Sequence, residues 1–257
     1  MLPDTYDNVF KSETHHWWYV GRRAVIRRFL DLICPEIKMI HPDEALRILD
    51  YGCGTGFMLG LLGEYGEAIG ADSSELSIEL SRKRGHENVY LQKSHADLPE
   101  SKCPFHLVTL LDVLEHVEDD IDLLKKLAEI TADGGMLLIT VPAYQWLWSG
   151  EDHVSQHYRR YSNKSLMHVI QKAGLEKVHL TYFNFWLLPI QIAVIFYNRL
   201  FRKEALLKSN VQNVPRYLNR LLSKIFSSEA SILSRCKIPL GGSVLCIAKA
   251  KRKKSVD

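Results

Sequence analysis

The stretch Leu49-Asp50-Tyr51-Gly52-Cys53-Gly54-Thr55-Gly56 decides how the chain is read. A short apolar run, Leu46 to Tyr51, passes through three glycines at every second position and opens a helix-period segment, Gly56 to Tyr65. That pattern is a strand, a tight turn and the start of a helix. Glycine in such a turn lets the backbone approach a ligand closely, and a helix start presents unpartnered N–H groups. A strand-to-helix turn uses glycine in any case, so the loop gains its meaning from Asp72. This acid closes the next strand, 22 residues beyond Asp50, where a carboxylate accepts hydrogen bonds from both hydroxyls of a ribose. A dinucleotide loop needs G-x-G-x-x-G, and here the third glycine stands one residue early. Asp50, two residues before the first glycine, would repel a pyrophosphate and suits a ligand carrying an ammonium group.

Outward from the loop, short apolar runs alternate with helix-period segments, the pattern of a parallel sheet covered by helices. Strands are expected at Leu46 to Tyr51, Ala68 to Ala71, Val89 to Gln92, His106 to Leu111, Met136 to Val141, Val178 to Tyr182 and Ser243 to Ala248. Helices are expected at Gly56 to Tyr65, Glu75 to Arg84, Ile121 to Thr131 and Lys164 to Ala173, the last with Ser162 as N-cap and Gly174 beyond its end. Ahead of the first strand, Trp17 to Ile33 reads as a helix apolar on one side, with Arg22, Arg23, Arg27 and Arg28 on the remainder.

The loop D-x-G-x-G-x-G resembles the first motif of class I S-adenosylmethionine-dependent methyltransferases. Ile69-Gly70-Ala71-Asp72 resembles that family's ribose-binding acid, His95-Ala96-Asp97-Leu98-Pro99 its adenine-contacting loop, and Leu111-Asp112-Val113-Leu114-Glu115-His116 the segment after strand four of many small-molecule members. The resemblance covers roughly Leu46 to Tyr182 and the last strand. It implies an α/β, doubly wound, seven-stranded Rossmann-like sheet whose last strand is antiparallel, and S-adenosylmethionine as cofactor. By the same resemblance Gly52, Cys53, Gly54 and Gly56 line the cofactor, and Asp50 supports the loop or the methionine ammonium. Asp72 would hold the ribose, Asp97 the adenine amino group with Leu98 donating a backbone N–H beside it, and Asp112 would lie near the methionine part.

A sulfonium already activates the methyl group, so the acceptor side has mainly to align an acceptor and exclude water, with a base where the acceptor is a protonated oxygen or nitrogen. The segment after strand five, Trp146-Leu147-Trp148-Ser149-Gly150-Glu151-Asp152-His153 followed by His157-Tyr158-Arg159-Arg160-Tyr161, is the candidate. Asp152, His153 and His157 read as a histidine base with its orienting acid; the four-residue spacing of the histidines also admits a metal, but a carboxylate more often orients a histidine, and no metal is expected. His116 is the other candidate base. Arg159 and Arg160 bind a phosphate or carboxylate of the substrate or pair with Glu151 or Asp152. His15-His16-Trp17-Trp18-Tyr19-Val20-Gly21-Arg22-Arg23 resembles the N-terminal segment of methyltransferases of sugar and lipid biosynthesis, which lies over the cofactor pocket as a lid.

The division that follows is residues 1–45 as an N-terminal helical lid segment, 46–184 as the cofactor-binding core, 185–240 as an insertion, and 241–257 as the last strand and a basic tail. The insertion fills roughly 55 to 60 residues where a hairpin takes about 2 to 5. It opens on Phe185 to Tyr197, without a charge but short of the ~20 residues of a spanning helix, and continues from Pro215 as a basic amphipathic helix. From Arg199 onward there are 14 Lys/Arg against 3 Asp/Glu, and before it 19 against 27. An apolar run beside basic residues suits an anionic lipid surface, and equally an insertion that only caps the active site. The expected acceptor is therefore a small molecule or a lipid- or glycan-linked precursor, met in the cytoplasm or on the inner membrane surface. Five cysteines without a C-x-x-C spacing argue against a disulfide framework and a structural zinc, and the first 28 residues do not read as a secretory signal. A nucleic-acid methyltransferase is the alternative, disfavoured because no D-P-P-Y-like tetrapeptide follows strand four; a non-catalytic cofactor-binding or membrane module is another, and a dehydrogenase the weakest.

Overall fold

The computed structural model describes residues 3–92, 104–202 and 214–250. In chain order it contains α1 (Pro3–Ser12), α2 (Trp17–Ile40), β1 (Arg47–Tyr51), α3 (Leu59–Leu62), β2 (Glu67–Asp72), α4 (Glu75–Lys83), β3 (Val89–Leu91), β4 (Phe105–Leu111), α5 (Asp120–Glu129), β5 (Thr131–Pro142), α6 (Gly150–Val154), α7 (Asn163–Lys172), β6 (Glu176–Phe183), α8 (Leu188–Phe201), α9 (Arg216–Leu233) and β7 (Ser243–Lys249). The seven strands form one sheet in the order β3-β2-β1-β4-β5-β7-β6. β3, β2, β1, β4 and β5 pair in parallel, and β7 runs antiparallel between β5 and β6. The seven-stranded, doubly wound sheet with an antiparallel last strand and helices inserted between β6 and β7 is the one expected from the sequence.

β4 is buried at every position, as a central strand covered on both faces must be, and it reads as an unbroken apolar run for that reason. One face is covered by α5 and α7, whose Leu123, Leu124, Leu127, Leu166 and Ile170 join a cluster with Leu49 and Val108 of the sheet. The other is covered by α2, α3 and α9, with Val25, Ile26, Phe29, Leu30, Leu61, Leu62 and Phe226 against Ile48, Leu107 and Leu138.

Two helices differ from their expected lengths. α2 continues seven residues past Ile33 and carries Pro35 in its interior; Pro35 removes one backbone donor, and full burial of Ile37 on the next turn offsets the loss. The helix expected over Gly56 to Tyr65 shrinks to the four residues of α3. Gly56 is held at a φ of 78°, and Gly60 and Gly63 further weaken a helical run. α1 and α6 are short elements beyond those expected from the sequence.

α9 lies against α2 at a point where no side chain fits. A Cβ on Gly21 would stand 2.3 Å from Cδ1, 2.4 Å from Cγ and 2.6 Å from Cβ of Phe226, a side chain with no exposure. Gly21→Ala is therefore expected to force the helices apart and cost about 1–3 kcal/mol, and Phe226→Ala about 3–5 kcal/mol. In urea denaturation the double variant should lose less than the sum of the two, because the alanine methyl partly fills the space the phenyl ring vacates.

Candidate active site

The loops after β1, β2, β4 and β5 converge at the carboxyl ends of the parallel strands, where doubly wound sheets bind ligands. Asp50, 2% exposed, ends the apolar part of β1. The Thr109 hydroxyl donates to its Oδ1 at 2.6 Å. Burial pushes this carboxyl up to about 7, against the lowering effect of the Thr109 bond. Beyond it the backbone N–H groups of Gly52 and Cys53 both donate to the carbonyl of Ala71, at 2.7 and 3.0 Å. Gly54 N–H donates to Oδ2 of Asp72 at 2.9 Å, and Ser74 N–H donates to Oδ1 at 2.9 Å. Asp72 thus joins the end of β2 to the glycine loop, and burial raises its pKa.

The three glycines share positive φ but meet different surroundings. A Cβ on Gly52 would meet Val113 at 2.6 Å and one on Gly56 would meet Ser81 at 2.7 Å, whereas a Cβ on Gly54 meets nothing within 4 Å. Gly54 is the residue of the loop whose backbone faces open space. Cys53 is buried, and burial pushes its thiol up.

Asp112 follows β4 with a φ of 61°. The Thr140 hydroxyl donates to its Oδ1 at 2.9 Å, and Arg22 of α2 pairs with its Oδ2 at 3.1 Å. The Arg22 Nε is buried without a partner. The sequence placed Arg22 among the arginines of the polar face of α2; the aromatic pair and glycine just before it were the signal that this turn packs inward. Glu13, 8% exposed, reaches the glycine loop from the other side. It accepts from the Thr55 hydroxyl and from Arg84 Nη2, the latter at 2.8 Å. Burial, with the carboxylates of Glu13, Glu151 and Asp112, pushes the Tyr19 hydroxyl up. Neither Glu13 nor Tyr19 was singled out as a site residue in the sequence.

On the acceptor side, Asp152 is fully buried. Burial alone would raise its pKa, but hydrogen bonds from His157 and Arg160 hold it well below the usual carboxylate range. Arg160 donates to both carboxylate oxygens at 2.7 Å. His157 Nδ1 stands 2.9 Å from Oδ1; an ionised carboxylate only accepts, so Nδ1 carries a proton and donates it to Asp152. The His116 ring lies 4.5 Å from the His157 ring, edge to face. Burial and His157 push its pKa down to about 4, so His116 is neutral at pH 7. Beside them sits Glu115, fully buried with neither oxygen hydrogen-bonded.

The ligand atoms of Glu115, His116 and His157 lie within 4.8 Å of one another, a set able to hold a divalent cation. His41, Glu44 and His106 are equally close, but the N–H of Arg47 donates to His106 Nδ1 and Nε2 faces Glu44, so that cluster is satisfied as it stands.

His153, grouped with Asp152 and His157 from the sequence, stands apart: its Nε2 accepts from the Trp148 indole N–H at 3.2 Å. Arg159 pairs with Asp120 at 3.1 Å, not with the acids of its own segment. Asp97 and Leu98 lie outside the described residues.

A family model described as a methyltransferase domain matches residues 20–180. The chain belongs to this methyltransferase domain family. S-adenosylmethionine is accordingly its cofactor. Among similar proteins, the ubiquinone biosynthesis O-methyltransferase of Mesorhizobium japonicum is 36% identical over 108 residues, 40% of this chain and 43% of that enzyme. The mitochondrial enzyme of the same description from Schizosaccharomyces pombe is 34% identical over 118 residues, 43% of each chain. The methyltransferase therefore spans about half the length of the curated relatives it matches. An S-adenosylmethionine-dependent methyltransferase of Thermotoga maritima shares the fold, with a TM-score of 0.56, 18% identity and 96% coverage of both chains.

Two outcomes test this half of the methyltransferase site. Gly54→Val should fold, losing about 1–2 kcal/mol for a branched side chain in the left-handed region, while isothermal titration shows affinity for S-adenosylmethionine lower by about two orders of magnitude, or about 2.8 kcal/mol. Asp50 is held protonated by the fold up to about pH 7, whereas its carboxyl ionises near 4 when unfolded. The folded state therefore binds more protons between these values, and stability falls as pH rises through that window. Asp50→Asn should flatten that part of the slope in urea titrations at pH 4.5, 5.5, 6.5 and 7.5.

Proposed function

We propose that this methyltransferase transfers the methyl group of S-adenosylmethionine to a hydroxyl oxygen of a small-molecule acceptor. The observation that carries the reading is the Asp152–His157 pair, in which Nδ1 is bound to the carboxylate and Nε2 is the ring nitrogen left to serve as a base beside His116. The names of the curated relatives, O-methyltransferases, support oxygen as the acceptor atom.

In this reading the backbone of Gly52, Cys53, Gly54 and Gly56 lies along the cofactor and Asp72 accepts from its ribose hydroxyls, exchanging its bond to Gly54. Asp97 and Leu98 hold the adenine. Asp112 takes the methionine ammonium, and the free Nε of Arg22 its carboxylate. Asp50 stays beneath the loop and fixes its shape. S-adenosylmethionine, when bound, would supply an activated methyl group and leave as the neutral thioether; the chain's own part would be to align the acceptor hydroxyl with that methyl, exclude water and take the hydroxyl proton on His157 Nε2. Asp152, itself clamped by Arg160, holds the imidazole and stabilises its charged form. His116 lines the same space as a second, neutral imidazole, and His153 with Trp148 forms the rim. The finer reading is an acceptor carried on a lipid or glycan and met at the cytoplasmic membrane surface, supported by the apolar, exposed α8 beside the acceptor loop.

A second reading of the chemistry is favoured by the two unpartnered oxygens of buried Glu115. A buried carboxylate without a partner is costly, and a divalent cation held by Glu115, His116 and His157 would satisfy it and lower the pKa of an acceptor hydroxyl.

The test is methyl transfer from labelled cofactor to a panel of hydroxylated and amino-bearing aromatics. Hydroxylated acceptors should be methylated, and His157→Gln should lower turnover about 10²–10⁴-fold with cofactor affinity unchanged. Equal loss of cofactor affinity would place His157 in the cofactor site. Titration of the cofactor-free protein with Mn²⁺, followed by electron paramagnetic resonance, separates the two chemistries: one bound ion lost in Glu115→Gln supports the second, and no binding leaves the histidine base.

A further inference from the structure

α8 has two apolar faces. Leu188, Ile192, Ile195 and Arg199 recur at helical spacing on one side, and Leu188, Ile192 and Ile195 cluster with Leu147 and Tyr144 of the acceptor loop. Arg199 Nη2 donates to the carbonyls of Trp146 and Trp148 at 2.7 and 2.9 Å. At 100° per residue, Ile190, Val194, Tyr197 and Phe201 fall about 180° away. Their exposures are 56%, 49%, 54% and 72%, and Leu200 beside them is 70% exposed. No charged residue before Arg202 interrupts this exposed arc. An outward apolar stripe of that size on a helix already packed on its opposite side marks an interaction surface.

The start of α8 is firmly placed. Glu229 of α9, fully buried, accepts the N–H groups of Asn184 and Trp186 at 2.6 and 2.9 Å, which leaves the Trp186 ring 52% exposed just ahead of the stripe. Among the described residues, the charges offered to solvent by α8 and α9 are basic: Arg202, Arg216, Arg220 and Lys224 are exposed, and the acid of these helices, Glu229, is buried. Tyr217 and Leu221, 76% and 53% exposed, interleave with them on α9. At 14 residues α8 is about 21 Å long, and among the described residues no helix is long and apolar enough to cross a membrane.

We infer that the outer face of α8, with Trp186 at its start, lies in the plane of an anionic lipid interface and holds the acceptor loop, through Arg199, next to that surface. The apolar stripe supplies burial in the acyl boundary, and the basic residues of the insertion supply attraction to anionic headgroups. A second copy of the chain suits this face less well, since pairing the stripes would bring two like-charged insertions together. The inference deepens the proposed function by naming where the acceptor is met, and it rests on that reading only for the acceptor.

The experiment is co-sedimentation of the full chain with vesicles of phosphatidylcholine alone or with 30% phosphatidylglycerol, at low and high salt, with cofactor binding measured on the same samples. Binding should require the anionic lipid, weaken with salt, and fall at least about tenfold in V194E/F201E, while cofactor affinity and thermal stability of that variant stay at wild-type values because neither side chain packs inward. Brominated lipids should quench tryptophan fluorescence in the wild type, and less in Trp186→Phe. Absence of vesicle binding, or binding indifferent to V194E/F201E, overturns the inference while leaving the methyltransferase reading untouched. A wild-type dimer in light scattering that V194E/F201E converts to monomer, without vesicle binding, assigns the face to a second copy instead. Loss of cofactor binding in a wild type that still sediments would overturn the function and leave the lipid surface standing.

Discussion

Much of the site depends on one buried hydrogen bond, from the Thr109 hydroxyl to the Asp50 carboxyl. In the register of the sheet Asp50 lies between Gly70 of β2 and Thr109 of β4. A carboxyl at that depth needs a partner, and Thr109 supplies one across the strand pair. The bond pins the last turn of β1, so the next two N–H groups meet the Ala71 carbonyl and the third meets Asp72. Gly70 opposite is equally constrained, since a Cβ there would stand 2.9 Å from the Cys53 sulfur. The shape of the glycine loop is thus written in two neighbouring strands as much as in the loop.

Around that loop the molecule gathers carboxylates and rations its cations. Arg22 goes to Asp112, Arg84 to Glu13 and Arg160 to Asp152, while Asp50 and Glu115 are left to hydroxyl or to nothing. Burial raises both of the latter. Carboxyls held neutral by burial lose that penalty when a positive charge arrives beside them, and can then ionise against it. That suits a sulfonium bearing an ammonium group, and it is the opposite of what a pyrophosphate would require. The glycine spacing and Asp50 pointed to the same conclusion from the sequence alone.

The fold was legible because its signals are local. Strand runs, the glycine loop and Asp72 fall in one continuous segment, and Ser162 and Gly174 bracket α7 as their capping chemistry requires. The partners of the site were less legible, because they lie far apart in sequence. Glu13 meets Thr55 across 42 residues and Arg22 meets Thr140 across 118, and no spacing rule joins them. The pairing of His153 with His157 failed for a different reason: the four-residue interval shares a face only on a helix, and α6 ends at Val154. Gln156 then turns the chain at a φ of 58°, which sends His157 inward to Asp152 and leaves His153 at the rim. Glu115 falls within the motif after strand four, but its isolation becomes visible only once burial is known.

The insertion between β6 and β7 supports both halves of the site. Because β7 must enter between β5 and β6, the chain has to leave the sheet and return, and the two helices made on the way take different places. α8 lands on the acceptor loop. α9 crosses α2 at Gly21, and its Asn219 accepts from Trp17 N–H at 2.8 Å and donates to the His15 carbonyl at 2.6 Å. Those two bonds fix the turn between α1 and α2. The turn in turn sets Glu13 against Thr55 on one side and Arg22 against Asp112 on the other. Glu229 on the same helix α9 holds the entry to α8. One helix far from the chemistry therefore spans the cofactor and acceptor sides, and a displacement of α9 would be felt at Arg22 and at Arg199 together.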